Sequence, residues 1–456
     1  MDQSLHFRYQ SNQKEEFVVD SYSYHCYIAT LVQKSKDEMI EYRVKYNPFT
    51  YSNLKNFHQY EKEVRSLLED FVLQQKDFCT FSQLYSYLTK VINNQSTFPK
   101  HFLIPVFFRA LNLEKIGPLL IDEQIDEVYL DSSKKNLYID HFRHGRCSTT
   151  IKLSKSEVES FVHRVALEND FSLNRSNPTM KSDFVSPLFH TRVTVDIPPL
   201  IIEDIHVDIR KFHTNKLSLP DLVEIGSITL AQAKFLVFLI QNQTSISIIG
   251  PPNSGKTTLQ NALIEYIPSH FRLLSVEDVL EIADTRKGNI VRFRLGYDPH
   301  DSVIFSKSLE VQKILHRSPD FINLGELSLK GHFKAFLNVL SVGIPSIQTI
   351  HGRNPEFLFG RLRDIYNIPL ELLKTSLPHI FIELNVSWVQ NKKKRTIFRI
   401  AELTDKGSIS TLSNDVIETI LSFPNKNLEI FTLNHLSKRN QIALKALLEK
   451  IVEISL

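Results

Sequence analysis

Cysteine is scarce in this 456-residue sequence, in which Cys26, Cys79 and Cys147 are the only examples. They are far apart and none belongs to a CxxC pair, so we expect neither a disulfide framework nor a structural zinc site, and a reducing cytosol is the simplest setting. Long apolar runs are also missing, because the stretch around Phe235 to Ile240 is far shorter than the ~20 residues that span a bilayer. We therefore expect any work at a membrane to be done from outside the bilayer.

The first residues, MDQSLHFRYQSNQKEEF, are polar and lack the basic segment and apolar run of a secretory signal. Charge is nearly balanced, with a formal net charge of +3, and this weak basic bias permits contact with an anionic membrane or nucleic acid without arguing for either. Hydrophobic residues make up 42% of the chain, which is typical of a folded protein. Because the chain is too long for one ordinary core, we expect two or three domains.

The hydrophobic pattern changes along the chain. Residues 1–95 predict a variable α+β region, and residues 96–214 predict an α+β domain. Residues 215–228 are polar, contain a proline and a glycine, and predict a linker. From residue 229 to residue 456 strands and helices alternate, which is typical of an α/β domain with a mainly parallel sheet.

Two helices are predicted in the first half. The stretch from Glu61 to Lys76 carries apolar residues at helical spacing. A second helix is predicted in LSKSEVESFVHRVALEND, where Ser154 could cap the first turn and Glu157 could complete a capping box.

Residues 250–257 read GPPNSGKT and match the phosphate-loop pattern GxxxxGK[ST] in full. The glycines let the backbone approach phosphate oxygens, and the N-terminus of the helix that follows attracts negative charge. An apolar strand enters the loop and a helix leaves it, which argues against a chance match in a surface loop. The candidate nucleotide-binding residues are Gly250, Pro251, Pro252, Asn253, Ser254, Gly255, Lys256, Thr257 and Thr258.

Polar residues end three further apolar strands. RLLSVED ends in Glu277 and Asp278, DFINLGE ends in Glu326, and SIQTIH ends in His351. Since the carboxyl ends of parallel strands face the ligand crevice of an open sheet, these residues are expected to meet at the phosphate loop.

Each of these side chains has a candidate role. Glu326 could position and polarise the attacking water, and His351 could contact the γ-phosphate. The alternatives are a surface carboxylate for Glu326 and a polar partner in a packed interior for His351. An Asp that commonly precedes such a Glu is replaced by Gly325, so the candidate Mg²⁺ ligands are Thr257, Asp278 and Glu326.

The successive segments GPPNSGKTTL, SVEDVLEIADT, SPDFINLGEL and SIQTIHGRNPEFLFGRL resemble the Walker A motif, Asp box, Walker B motif and His box of the type II/type IV secretion ATPase family. Its Walker B motif typically contains Gly-Glu, as at Gly325 and Glu326. HTRVTVDIPPL and VDIRKFHTNKLSLPDL resemble the segment that joins the two domains in the archaeal branch, and the bacterial four-cysteine zinc module is missing.

The resemblance implies an α/β fold. It predicts a C-terminal RecA-like P-loop NTPase domain with a mainly parallel sheet, preceded by an α+β PAS-like N-terminal domain. It implies ATP and Mg²⁺ as ligands and arginines from the N-terminal half at the phosphates, here Arg192 and Arg210. The candidate catalytic residues are then Glu326, Glu277, His351, Arg210 and Arg192.

The family also implies a function. Its members are homo-hexameric ATPase motors that drive the assembly or secretion of pilin-like subunits, as in type II secretion and in type IV pilus or archaellum assembly. Such a motor acts at the inner face of the cytoplasmic membrane as a peripheral protein and works on a polytopic membrane platform protein.

Two departures from the family pattern leave other functions open. Ser328 stands where an Arg is usual after the Walker B Glu, and Ile344 stands where a His is usual. Both favour the alternative of a nucleotide-gated scaffold with weak hydrolysis. A conjugation-type DNA-transfer ATPase is a third hypothesis, which only the slight basic charge supports, and no nucleic acid is expected as a partner.

Overall fold

The computed structural model describes residues 16–35, 38–46, 57–75, 78–93, 98–212, 216–277, 282, 288–295, 307–368, 379–389, 392–404, 408–422, 431–440 and 444–454. The chain divides into two compact units. The first comprises Met1–Thr214 with Gln390–Lys393, and the second comprises Asn215–Val389 with Lys394–Leu456. The domain boundaries at residues 95, 214 and 228 stay predictions.

The first unit is built on a sheet that has nine strands within the described residues, in the order β1-β2-β3-β6-β5-β4-β9-β8-β7. Neighbouring strands are antiparallel except β3 and β6. The strands are β1 (Phe17–Tyr24), β2 (Tyr27–Gln33), β3 (Glu41–Tyr46), β4 (Ile125–Leu130), β5 (Asn136–His141), β6 (Gly145–Lys152), β7 (Thr179–Val185), β8 (His190–Asp196) and β9 (His206–Phe212). The helices are α1 (Phe57–Gln74), α2 (Phe81–Asn93), α3 (Leu103–Ala110), α4 (Gly117–Ile121) and α5 (Lys155–Glu168).

Both helices predicted in this half are present. In α5 the Ser154 hydroxyl accepts the amide of Glu157, and the Glu157 carboxylate accepts the amide of Ser154, so the predicted capping box is confirmed. Helix α1 begins at Phe57, four residues before the predicted start, because the buried Phe57 ring extends the apolar face formed by Val64 and Leu68.

A buried carboxylate joins the first strand of this unit to the rest of its core. Asp122 is fully buried and accepts hydrogen bonds of 2.7 Å from the hydroxyls of both Tyr22 and Tyr42. On β9 the side chain of Lys211 is also buried, and its ammonium donates to the carbonyls of Leu119 and Asp122. Desolvation lowers the pKa of Lys211 to about 8. The described residues between 16 and 93 therefore share one core with residues 98–212.

The second unit contains a sheet with eight strands in the described part of the chain, in the order β12-β11-β13-β14-β10-β15-β16-β17. The strands are β10 (Ser245–Gly250), β11 (Leu273–Glu277), β12 (Ile290–Arg294), β13 (Phe321–Leu327), β14 (Ser346–His351), β15 (His379–Val389), β16 (Lys392–Leu403) and β17 (Ile409–Leu412). The helices are α6 (Leu219–Glu224), α7 (Leu230–Gln241), α8 (Lys256–Ile264), α9 (Lys307–Leu315), α10 (Lys330–Ser341), α11 (Pro355–Gly360), Asn414–Ser422, Phe431–Asn440 and Leu444–Val452.

The strands from β12 to β15 in that order pair in parallel, and β16 with β17 pair antiparallel. Apolar clusters cover the sheet on both faces, which explains why β10 and β11 are buried along their whole length. The predicted α/β class with a mainly parallel, RecA-like sheet is confirmed, whereas the PAS-like comparison for the first unit stays a prediction. Within the described residues, none of the helices has both the length and the apolar character that crossing a bilayer requires.

A histidine lies in the core of this second unit. His379 on β15 is fully buried, stacks on Phe381 at 4.5 Å between ring centroids, and places Nε2 2.9 Å from the hydroxyl of Ser247. The same hydroxyl accepts a 2.7 Å hydrogen bond from Gln348. Burial lowers the pKa of His379 to about 3, so the folded protein keeps this ring neutral at pH values where an exposed histidine is protonated.

We predict that His379 makes the second unit sensitive to acid. Between pH ~6.5 and ~3 the unfolded chain binds a proton at this histidine and the folded chain does not, so the free energy of unfolding should fall by up to ~1.4 kcal/mol per pH unit as pH falls. His379→Leu should reduce this slope. Urea unfolding between about pH 7 and pH 5, followed by the fluorescence of Trp388 on the same strand, measures it.

The matched control is His270→Leu, since His270 is exposed in the same unit. It should leave the slope unchanged. Equal slopes in the wild type and the His379→Leu variant would contradict the prediction.

Candidate functional site

The phosphate-loop sequence connects the buried strand β10 to helix α8. The loop turns through two left-handed residues, Asn253 with φ of 56° and Gly255 with φ of 89°. A Cβ added to Gly250 would lie 2.6 Å from the Ser254 hydroxyl and 3.2 Å from the carbonyl oxygen of Leu384, so a side chain there would displace its neighbours. Helix α8 begins at Lys256, directly after the loop, so its N-terminal amides face the turn. The predicted strand, loop and helix are all present.

Lys256 is the first residue of α8, at the end of this loop, and is 7% exposed. Its ammonium donates hydrogen bonds to the carbonyls of Gly250 at 3.1 Å and Pro251 at 2.8 Å. The ammonium nitrogen is also 3.3 Å from Nδ1 of His351. A cation is therefore held at the mouth of the loop, where an anionic ligand would meet it.

His351 connects the loop to Glu326. Its Nε2 atom is 3.3 Å from Oε1 of Glu326, and the two side chains are 38% and 42% exposed. Strand order and register explain why these side chains lie close together. Strand β14 lies between β10 and β13, and its pairing with β10 places His351 beside Gly250. The structure thus brings Lys256, His351 and Glu326 together in a continuous row at the carboxyl edge of the sheet.

Glu277 lies at the end of β11 but is buried, with 2% of its surface exposed. Its carboxylate accepts hydrogen bonds from the hydroxyl of Ser275 at 2.6 Å and the amide of Ile282 at 2.9 Å. A Cβ added to Gly325 would lie 3.6 Å from the Glu277 Cα atom. Glu277 therefore lies behind the backbone that leads into Glu326. Asp278, the next candidate residue, lies outside the described residues.

A bulge at Gly325 sets the direction of Glu326. The register between β13 and β14 shifts between Asn323 and Glu326, and Gly325 adopts a left-handed φ of 57°. An added Cβ at Gly325 would also lie 3.2 Å from the carbonyl oxygen of Val276. Bulges of this kind redirect the side chain that follows. The Gly-Glu pair therefore has a geometric cause, since few other residues adopt this backbone easily.

The remaining loop candidates differ in exposure. Thr257 and Thr258 are half-buried in the first turn of α8, and Pro251 and Pro252 are exposed. Among the described residues the Ser254 hydroxyl, which is buried, has no hydrogen-bond partner.

The two predicted arginines lie on one face of the first unit's sheet. Arg192 on β8 is directly opposite Arg210 on β9. Arg192 is 15% exposed and is held by Asp183 on β7 through a hydrogen bond of 3.0 Å. Arg210 is exposed and pairs in register with Glu127 on β4. A contact between either arginine and a phosphate stays a prediction.

The sequence patterns do not identify three residues that support the site. Arg395 on β16 donates a 2.9 Å hydrogen bond to the carbonyl of Asn253 in the loop. Lys307, buried at the start of α9, donates to the carbonyls on both sides of Gly325. Asn323 lies inside the buried strand β13. A polar residue inside the apolar run DFINLGE was a visible signal for Asn323, whereas nothing local distinguishes Arg395 within KKKR.

We predict that Gly325→Ala destabilises the second unit more than Gly343→Ala does. Both glycines have a left-handed φ, which costs an ordinary residue about 1–2 kcal/mol. Only at Gly325 does the added methyl group also approach a carbonyl oxygen closely, whereas nothing lies within 4 Å at Gly343. Urea unfolding of the two variants measures the difference, and equal losses would show that the Val276 contact is relieved without cost.

Comparison with known proteins gives a family match. The model of the family described as type II/IV secretion system protein matches residues 113–395. The chain is 31% identical over 156 residues to the uncharacterized protein MJ1287 of Methanocaldococcus jannaschii, which covers 34% of this chain and 57% of that protein. It is 34% identical over 130 residues to VirB11 of Rhizobium radiobacter, covering 28% of this chain and 37% of the relative.

A further relative is a probable conjugal transfer protein, TrbB of Sinorhizobium fredii, which is 27% identical over 250 residues. That match covers 54% of this chain and 73% of TrbB. The chain therefore spans 57% of MJ1287, 37% of VirB11 and 73% of TrbB.

Solved structures of similar proteins include the VirB11 ATPase of the Brucella suis type IV secretion system in complex with sulphate. It is 25% identical, with a TM-score of 0.31, over 63% of this chain and 92% of that one. The pilus retraction motor PilT with bound ADP is 15% identical, with a TM-score of 0.47, over 74% of this chain and 96% of that one. Because both TM-scores lie below 0.5, these two alignments support no functional argument.

Proposed function

Given that this chain belongs to the type II/IV secretion system protein family, we propose that it binds and hydrolyses ATP as the motor of a secretion or pilus-assembly machine. The observation that supports the proposal most directly is the row of Lys256, His351 and Glu326 beside the phosphate loop. The row provides a cation for the phosphates and a carboxylate for the attacking water. Phosphoryl transfer depends mainly on such positioning and on charge stabilisation.

The loop provides the polar groups that bind a nucleoside triphosphate in phosphate loops. The buried Ser254 hydroxyl without a partner in the described structure, the left-handed turn at Gly255 and the N-terminus of α8 supply polar groups directed at one small region. Backbone amides and a helix N-terminus together favour phosphate. On binding, the ammonium of Lys256 would exchange the carbonyls of Gly250 and Pro251 for phosphate oxygens.

Glu326 is proposed to hold the attacking water. Its carboxylate is partly exposed, so a water molecule can reach it, and the Gly325 bulge fixes its backbone. His351 lies between this carboxylate and Lys256, where it can orient the carboxylate and contact the γ-phosphate. Glu277, which is buried behind Gly325, is proposed to support this arrangement rather than to meet the water.

Mg²⁺ fits the oxygen donors present. Magnesium binds oxygen, keeps several waters and takes phosphate oxygens, so it requires few protein ligands. The half-buried Thr257 hydroxyl in the first turn of α8 and the Glu326 carboxylate would hold it, together with Asp278. The ion would supply positive charge that neutralises the β- and γ-phosphates.

The assembly and its partners belong to the same proposal. Arg192 and Arg210 are proposed to contribute positive charge to the phosphates within a homo-hexamer, and Arg192 would then exchange Asp183 for phosphate. The motor is proposed to act peripherally at the cytoplasmic face of the membrane on a polytopic platform protein that assembles pilin-like subunits.

One observation keeps the scaffold alternative open. Ser328 lies two residues after Glu326, where the family usually has Arg, and its amide and hydroxyl lie 3.3 and 3.4 Å from Nδ1 of His332. The residue therefore contacts the start of α10 and brings no positive charge. A protein that binds ATP tightly but releases phosphate at the background rate would be the nucleotide-gated scaffold.

DNA transfer is the third candidate, because one relative, TrbB of Sinorhizobium fredii, is a probable conjugal transfer protein. Phosphate release measured with and without single-stranded DNA separates this candidate. A rate that DNA leaves unchanged favours the pilus or secretion motor.

We predict that Glu326→Gln retains ATP binding and loses hydrolysis. The amide keeps the size of the side chain but cannot polarise water as a carboxylate does, so kcat should fall by about 10²–10⁴-fold. The dissociation constant for ATP should change by less than about threefold, since the amide oxygen of Gln can still act as a Mg²⁺ ligand and Lys256 with the loop amides still binds the triphosphate. Phosphate release and titration with a fluorescent ATP analogue measure the two quantities.

Two further variants serve as controls for the Glu326→Gln test. Lys256→Ala should lose binding and turnover together, and Glu418→Gln, at an exposed position on the helix Asn414–Ser422, should change neither. Turnover at the wild-type rate in the Glu326→Gln protein would refute the assignment of Glu326 as the water-positioning residue.

A further inference from the structure

A row of buried polar side chains crosses the core of the second unit beneath the candidate site. Gln260 on α8, Asn323 on β13, Ser275 on β11 and Glu277 at the end of β11 are each exposed by 2% or less. The residues around them are apolar and belong to the main core of this unit. Polar groups are costly in such surroundings unless they are hydrogen-bonded, so the bonds within this row determine whether it is tolerated.

The hydrogen bonds of this row run in one direction. The Gln260 amide nitrogen donates to the Asn323 oxygen at 2.7 Å, and the Asn323 amide nitrogen donates to the Ser275 hydroxyl at 2.7 Å. The Ser275 hydroxyl then donates to the Glu277 carboxylate at 2.6 Å. Because that hydroxyl gives its proton to the carboxylate, it must accept from Asn323, and this fixes the orientation of both amides.

Asn323 also holds the Gly325 bulge. Its side-chain oxygen accepts a second hydrogen bond, of 3.1 Å, from the amide of Gly325. The carbonyls around it are held by other side chains. The Lys307 ammonium donates to the carbonyls of Leu324 at 3.0 Å and Glu326 at 2.8 Å, and the Thr349 hydroxyl donates to the carbonyl of Gly325 at 3.3 Å.

We propose that Asn323 is a positioning residue for Glu326 and connects it to the phosphate-loop helix. One oxygen of Asn323 is bonded both to the bulge that directs Glu326 and to Gln260, which lies one helical turn after Lys256 on α8. A displacement of α8 on binding at the loop therefore reaches the backbone of Gly325 through two hydrogen bonds. This inference rests on the proposed function of Glu326 and assigns Asn323 and Gln260 to the same reaction.

Asn323 affects the direction of the Glu326 side chain more than the packing of α8 on the sheet. An apolar pair at positions 260 and 323 would fill the same space between α8 and the sheet. It would leave the Gly325 amide without its partner, so the bulge would be held only through its carbonyls and the carboxylate that follows would be less firmly directed. Since an error of ~1 Å in a reacting group can cost ~10²-fold in rate, loss of this partner should affect turnover far more than binding.

The first arm of the test compares Asn323→Leu with the wild type in the full chain. Leucine has nearly the shape of asparagine and cannot accept the amide of Gly325. We expect kcat for ATP to fall by about 10–100-fold while the dissociation constant for a fluorescent ATP analogue changes by less than about threefold. Hydrogen exchange of the backbone amides at residues 324–326 should become at least about tenfold faster, because the Gly325 amide loses the side-chain oxygen of Asn323 as its acceptor.

The matched control is Gln348→Leu. Gln348 is a fully buried amide on β14 of the same sheet, and it bonds Ser247 on the side of the sheet that carries His379. It should destabilise the unit to a similar extent, yet kcat and the exchange at residues 324–326 should remain within about twofold of the wild type. An equal loss of kcat in Gln348→Leu would mean that any buried amide matters, and the proposal would be wrong.

Gln260→Met is the milder second variant and decides the connection to α8. It leaves the bond between Asn323 and Gly325, so kcat should fall by only about two- to fivefold, and it should add nothing to Asn323→Leu in the double variant. Wild-type kcat and wild-type exchange in a folded Gln260→Met protein would overturn the connection. This variant also keeps the test decisive if Asn323→Leu does not fold.

Different results would refute the motor function and the positioning role of Asn323. If the wild-type chain releases no phosphate, the proposed motor function is refuted. The hydrogen-exchange rate at residues 324–326 still tests whether Asn323 holds the bulge. If the wild type turns over ATP but Asn323→Leu keeps both its kcat and its slow exchange, the motor function survives and the role of Asn323 is refuted.

Discussion

The left-handed backbone of Gly325 is the constraint on which the geometry of the candidate site depends. It interrupts the pairing of β13 with β14 and turns Glu326 toward His351, which in turn lies beside Lys256. Parallel pairing alone would bring the ends of these strands to one edge without directing any carboxylate. The bulge therefore converts an ordinary parallel sheet edge into a row of groups with defined neighbours.

Buried polar groups in the second unit are arranged on both sides of its sheet. Asn323 and Ser275 lie with α8 on one side, and Ser247, Gln348 and His379 lie together on the other. The first set connects with residues of the site, whereas the second carries the histidine whose lowered pKa links folding to pH. The same requirement, that a buried polar group must find a partner, thus has a consequence for geometry on one side and for stability on the other.

The first unit has a buried carboxylate in its core and arginines on the opposite face of its sheet. Its core is tied together by the buried Asp122, while Arg192 and Arg210 lie opposite each other on the other face of the sheet. Arg192 already has a carboxylate partner in Asp183, so any anionic ligand must compete with that ion pair. An arginine at a strand position is therefore not by itself a phosphate-binding group, because its availability depends on the carboxylates of neighbouring strands.

The sequence by itself determined the phosphate loop, the α/β class of the second unit, the capping box at Ser154 and the family, because each rests on residues close together in the chain whose spacing matches a local geometry. Glu326 and His351 were identified as candidates because polar residues end apolar strands. Their contact, the burial of Glu277 and the hydrogen bonds of Asn323 were decided by the tertiary structure alone. These depend on strand order, register and a bulge, which arise from contacts between residues far apart in the chain and leave no periodic signal in the sequence.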